Sequence, residues 1–233
     1  VLNTAVAEVL KGFADKLEKA PDFTAALHDI VKDTYVEHKR IIFNGNGYDK
    51  AWLEEAARRG LSNYPTTPDC LPCMLDEKNI ELFTKNGVYT EKEVRARCEI
   101  MLENYVKTVN IEARTMIEMA KKDILPAMSS YTTDLASSIE EKSEVCESVN
   151  LDYEKEVLVD LSEYSGKAYH STKELEKLVN GAPEEAYEAA KYFAAKVIPA
   201  MTELRKWVDK AEVVTPTAYW PYPTYGELLF GVR

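Results

Sequence analysis

From Thr90 onward the sequence repeats its apolar residues at every third or fourth position, and this pattern constrains the fold more than any other feature. The stripe runs Val94, Cys98, Met101, Tyr105, Val109, Ala113, Met116, Ala120, Ile124, Ala127, Tyr131, Leu135 and Ile139. Such steps keep side chains on one face of an α-helix. Thr90-Glu91-Lys92-Glu93 ahead of it is a capping box, which starts a helix by satisfying two free backbone N–H groups. A second helix carries Leu151, Leu158, Leu161, Ala168, Leu175 and Val179 inward and ends at Asn180-Gly181. A third has Pro183 in its first turn, where the missing N–H goes unused, and presents Tyr187, Ala190, Ala194, Val197, Met201, Leu204 and Val208. None of these rods buries its stripe alone, so they pack as an antiparallel bundle. The expected class is mainly α: long helices kinked by proline, a region of shorter helices, and little or no β.

The kinks are expected at Pro126 and Pro199, which sit in similar surroundings, Ile124-Leu125-Pro126-Ala127-Met128 and Val197-Ile198-Pro199-Ala200-Met201. Proline inside a helix removes a hydrogen bond and bends the rod. The tail from Tyr219 to Gly226 is rich in aromatic residues and proline, which predicts no regular helix. Rings of that size are expected to fold back on the body, with Leu228, Leu229 and Phe230 as the anchor.

Before residue 90 the segments are shorter. One helix is expected from Asn3 or Thr4 to about Lys19, with Val6, Val9, Leu10, Phe13 and Leu17 on one face. Asp22 caps a second, to about Lys39, with Phe23, Ala26, Leu27, Ile30, Val31 and Tyr35 as its stripe. Arg40 to Phe43 reads as a short strand or extended segment, and Asn44-Gly45-Asn46-Gly47 as a turn. Asp49 caps a short helix stopped by Gly60, the proline-rich stretch 62–72 reads as a loop, and Leu75 to Lys85 is a further helix closed by Asn86-Gly87. The expected organisation is therefore 1–89, short helices and loops, then 90–233, a bundle with an aromatic tail.

Charge narrows the partners. Lys and Arg number 29 against 40 Asp and Glu, a net charge of −11. Such a chain repels phosphate backbones and anionic lipid, so neither nucleic acid nor membrane is expected as a partner. The four cysteines, at 70, 73, 98 and 146, are unevenly spaced, which suits free thiols in a cytoplasmic protein. The chain opens on Val1 inside an amphipathic pattern, without a basic leader, and reads as a cut through a larger protein.

Few residues invite chemistry. Cys70-x-x-Cys73 has the spacing of a redox motif or half a zinc site, but no second pair of ligands accompanies it. Asn44 to Gly47 lacks the trailing Lys-Ser/Thr of a phosphate loop. His28, His38 and His170 are isolated, and Asp76-Glu77 and Glu140-Glu141 read as solvated helix faces. No catalytic, cofactor-binding or metal-binding residue is assigned from these patterns.

Several stretches go further in combination. They are Arg40 to Tyr48, Leu75 to Lys85, Leu102 to Tyr105 with Asn110 to Ala113, and Tyr219 to Phe230. Spread end to end and in order, they resemble the type III glutamine synthetases, and Val1 to Glu8 resembles the helix after that family's catalytic core. The resemblance implies a reaction: ATP phosphorylates the glutamate side-chain carboxylate, and ammonia displaces the phosphate, with magnesium or manganese assisting. It implies a ring-shaped homo-oligomer, in which residues 1–89 end the catalytic domain and 90–233 form a C-terminal helical domain. The implied partners are the remainder of the same polypeptide and neighbouring subunits. The family's metal-binding glutamates and substrate-binding arginines match no position here, so ATP and metal are expected to bind elsewhere in the parent protein. The alternative is a free-standing helical scaffold or interaction module without enzymatic activity.

Overall fold

The structure is a computed structural model and describes residues 1–231, and all regular structure among them is helical. The chain forms two compact units, one of Val1–Leu102 and one starting at Glu103.

In the first unit, α1 spans Leu2–Glu18, α2 Phe23–His38, α3 Lys50–Arg58, α4 Thr67–Cys70 and α5 Glu77–Lys85. Asp22 caps α2 as its side chain dictates, accepting from the N–H groups of Thr24 and Ala25 at 2.9 and 3.1 Å. Gly60 and Gly87 take positive φ, 71° and 63°, just past α3 and α5, where only glycine turns without strain. The core of this unit is small: Leu71, Phe83, Val94, Cys98 and Leu102. The Cys98 thiol donates to the Leu71 carbonyl at 3.5 Å.

Three local expectations for this unit change. The segment Arg40–Phe43 is no strand: Lys39–Ile41 forms a 3-10 turn, and Ile42 after it is extended. Its carbonyls are taken by a side chain instead of a neighbouring strand, since Arg59 donates to Arg40 O at 3.1 Å and Ile42 O at 2.7 Å. The expected loop at 62–72 contains α4 and a 3-10 turn, Leu71–Leu75, because Pro68 and Pro72 each sit in a first turn, where proline costs nothing. Thirdly, α1 shows the first part of its stripe to solvent: Val6, Val9 and Leu10 are exposed, Phe13 and Leu17 are half-buried, and Thr4 is its one buried residue.

The long helices form the second unit, apart from the start of the first of them, up to Leu102, which belongs to the first unit. Helix α6 runs Glu91–Met119 and α7 Leu125–Val145, joined by one π turn, Ala120–Ile124. The Thr90–Glu93 capping box starts α6, with Thr90 N–H donating to Glu93 Oε2 at 2.7 Å and Glu93 N–H to Thr90 Oγ1 at 3.3 Å. Helix α8, Asp152–Asn180, packs against both α7 and α10, Ile198–Val214. Between α8 and α10 come α9, Ala186–Tyr192, and a second π turn, Phe193–Val197. The short α11, Tyr225–Phe230, follows the tail.

One core joins these rods, including Ala113, Met128, Leu161, Ala168, Leu175, Phe193 and Leu204. Small residues oppose large ones, as close packing requires, and each fully buried Leu or Phe contributes about 1.5–3 kcal/mol. The buried line of α6 and α7 differs in detail from the expected stripe. Leu102, Ile117 and Met128 are buried where Met101, Met116 and Ala127 were expected, each one residue further on. Buried positions advance by four more often than by three, which a straight α-helix cannot sustain and a π turn helps absorb.

Two further expectations are corrected here. The third long helix starts at Ala186, beyond Pro183, because Glu185 serves as N-cap, accepting from Tyr187 N–H at 3.1 Å and Glu188 N–H at 2.7 Å. The tail contains a regular helix, α11, started by a second capping box, Thr224 with Glu227. Its Leu228, Leu229 and Phe230 are exposed and anchor nothing within the described residues.

Candidate functional site

The densest meeting of unusual features lies at the first π turn. Leu125 N–H donates back to Ala120 O, five residues away, and Pro126 follows at once. At the second π turn Ile198 N–H donates to Phe193 O, and Pro199 follows at once. The physical reason is shared. A proline has no N–H to give and its ring collides with the carbonyl four residues back, and a turn widened by one residue just before it accommodates both. Ala120, Ile124, Phe193 and Val197 are buried while the two prolines are exposed, so packing holds each widened turn in place.

Three contacts converge on the first turn. Lys121 reaches across to Glu176 of α8 at 2.5 Å. Tyr222 of the tail donates its hydroxyl to Asp123, inside the turn, at 3.0 Å. Opposite α10 a cavity of about 150 Å³ opens, lined by Met116, Met119, Ala120, Ile124, Leu204, Arg205 and Val208. The tail is pinned again nearby: Tyr219 donates to Asp134, and its ring lies 4.8 Å from that of Tyr131. Burial, then the Asp123 carboxylate, pushes the Tyr222 phenol up to about 12. The hydrogen bond to Asp134, then burial, raises Tyr219. Both rings therefore stay protonated donors across neutral pH. The arrangement clamps and orients helices. It presents no nucleophile beside a base.

The residues weighed for chemistry stay apart from this turn. His28 and His38 are exposed ten residues apart on α2, and His170 is exposed on α8. Asp76, Glu77, Glu140 and Glu141 are exposed. Asn44 to Gly47 is a turn in which Asn46 Oδ1 accepts from Tyr48 N–H at 3.1 Å. A side chain at Gly45 would strike the Phe43 ring, which packs 4.4 Å from Trp52. Cys70 is exposed and bonds Thr67 O at 3.6 Å, Cys73 is half-buried, and burial raises the Cys98 thiol. Among the described residues no group of three or more His, Cys, Asp or Glu is placed to hold a metal ion. Nor is any helix of the described residues long and apolar enough to cross a membrane.

The sequence reading passed over Asp123, Asp134 and Glu185, each of which takes hydrogen bonds that fix a segment. The signal for the tail was available: Thr224-x-x-Glu227 repeats the spacing of Thr90-x-x-Glu93. No sequence signal marks Asp123 or Asp134 out from the other exposed carboxylates, since their partners lie 99 and 85 residues away.

Comparison with known proteins decides what this helical chain is part of. The sequence profile of the glutamine synthetase C-terminal domain matches residues 26–143, which includes most of α2, all of α3 to α6 and most of α7. The chain belongs to that family. It is 42% identical over 208 residues to a glutamine synthetase of Butyrivibrio fibrisolvens, covering 88% of this chain and 30% of the relative. It is 32% identical over 253 residues to a type-3 glutamine synthetase of Dictyostelium discoideum, covering 99% of this chain and 32% of the relative. A glutamine synthetase of Bacteroides fragilis (strain YCH46) is 30% identical over 241 residues, covering 98% and 33%. The type III resemblance of the scattered motifs thus extends along the glutamine synthetase chain, and the chain spans about a third of the length of these curated relatives.

Proposed function

We propose that this chain is the C-terminal structural part of an ATP-dependent glutamate–ammonia ligase and that it catalyses nothing alone. One observation carries the reading: glutamine synthetases of three organisms match 88–99% of this chain, yet it accounts for only 30–33% of their length. Residues 1–89 end the catalytic region, and 90–233 buttress it. ATP and the magnesium or manganese ion bind in the remainder of the same polypeptide, and neighbouring subunits of a homo-oligomeric ring complete the partners. The setting is the cytoplasm, in nitrogen assimilation.

The test is a glutamine-formation assay with glutamate, ammonium, ATP and magnesium. The 233-residue chain should release no phosphate above background. A polypeptide of the relatives' length containing it should form glutamine. Turnover by the 233-residue chain alone would overturn the reading.

A further inference from the structure

The first half of helix α1 is packed inside out, while Phe13 and Leu17, further along the same apolar face, are half-buried. Thr4, on its polar side, is buried, and Glu8 beside it pairs with Lys85 of α5 and accepts from Asn86 Nδ2 at 3.0 Å. Its apolar Val6, Val9 and Leu10 point the other way and are 49–59% exposed. Its neighbour α2 also leaves apolar residues in water. The ridge Ala26, Ile30 and Thr34 is half-buried, while the adjoining ridge, Phe23, Leu27 and Val31, is 42–62% exposed. No residue of α2 is fully buried.

Polar residues turned to the protein at the start of α1, and apolar residues left in water on both helices, depart from the usual order of burial. An exposed apolar face of this kind marks an interaction surface more often than an ordinary one. The relatives indicate the occupant. Matches to the Dictyostelium and Bacteroides proteins cover 99% and 98% of this chain, so they include α1 and α2, and both relatives are about three times as long. In those proteins the same two helices have a large additional polypeptide available to them.

We propose that the exposed faces of α1 and α2 form the seat for an uncharged, apolar surface of the same, longer polypeptide, so that this hairpin is an internal domain joint. The inference rests on the reading above that the chain is one part of a ligase. It adds which surface makes the joint and that the joint is apolar.

Hydrogen exchange tests it on the 233-residue chain and on the longer polypeptide in parallel. Amides of 23–38 should exchange at least about ten-fold more slowly in the longer protein, because covered helices open less often. The double variant Leu27→Glu, Val31→Glu should leave the helicity and melting of the short chain unchanged and abolish the added protection in the long one. Equal exchange in both wild-type proteins would overturn the proposal, and that comparison needs no variant to fold. So would a dimer of the short chain, seen by sedimentation and dissolved by the double variant, since a second copy would then be the occupant. Glutamine formation is scored separately. Protection without turnover keeps the joint and sinks the ligase, whereas turnover without protection does the reverse.

Discussion

The two units use amphipathic helices of similar pattern and bury them very differently. In the second, α8 places Leu161, Ala168 and Leu175 at 0% exposure between two long neighbours. In the first, α1 and α2 carry equally regular apolar residues, yet Thr4 is the one residue buried in either helix. An amphipathic stripe states that a helix has a partner. It does not state that the partner lies in the same chain. Where three long rods follow one another, the stripes find each other. Where two helices precede short turns and loops, the stripes remain for something else.

The sharpest way to break this contrast is truncation of one large side chain in each unit. Phe193→Ala empties a fully packed site and should cost about 3–5 kcal/mol. Leu27→Ala removes a side chain already 42% exposed and should cost under about 0.5 kcal/mol in the isolated chain. Urea denaturation followed by circular dichroism measures both. Similar costs for the two would mean that α2 is covered within this chain, and the contrast would fail.

Several helix ends were legible in the sequence from a capping side chain or a glycine, although Glu185 and Thr224 with Glu227, which cap in the same local way, were passed over. Asp22, Thr90 with Glu93, Gly60 and Gly87 all act as their residue types predict. The mainly α class followed from periodicity, which is a property of consecutive residues. What stayed hidden depends on distant ones. Whether the stripe of α1 faces in or out is settled by Glu8 meeting Lys85, 77 residues away. The tail's position is settled by Asp123 and Asp134. The π turns were hidden for another reason: proline announces a disturbed helix but not the form the disturbance takes. No catalytic residue was legible, and the one dense site found clamps helices together.

Within the second unit the tail should be the part most sensitive to alkali. The Tyr222 phenol titrates near 10 when unfolded and is pushed up to about 12 when docked. Between those values the folded form keeps a proton that the unfolded form has lost. The stabilisation is therefore whole below pH 10 and disappears as pH rises through about 12. Trp220 fluorescence should report release of the tail over that window. At neutral pH Tyr222→Phe removes a hydrogen bond to a carboxylate and should cost about 1–2 kcal/mol. No fluorescence change before global unfolding would show that the phenol does not hold the tail.

The corresponding probe in the first unit is Asp22→Ala. It frees the N–H groups of Thr24 and Ala25 at the start of a helix with no buried residue to hold it. The expected loss is about 1 kcal/mol, typical of an N-cap, and it should appear as fraying of α2 rather than as a lower midpoint for the bundle. Amide exchange of 23–38 in the isolated chain would record it. An equal rise in exchange along α8 would mean that the two units do not open independently.

The smallest expected effect separates two causes of the π turns. If Pro126 alone forced the wider turn, Pro126→Ala would restore an α-helical hydrogen bond and relieve a clash, a gain approaching about 3 kcal/mol. The packing argues otherwise. Ala120, Ile124 and Met128 are buried on either side of the turn, and narrowing it by one residue would rotate one flank of the stripe by about 100° relative to the other. Pro126 itself is exposed and makes little contact to lose. Pro126→Ala should therefore leave the turn in place and change stability by less than about 0.5 kcal/mol, in either direction. Pro199→Ala should behave alike, because Phe193 and Val197 flank it in the same way. A gain of several kcal/mol in either variant would mean that the proline strains the bundle, and that the buried stripe tolerates the wider turn instead of holding it.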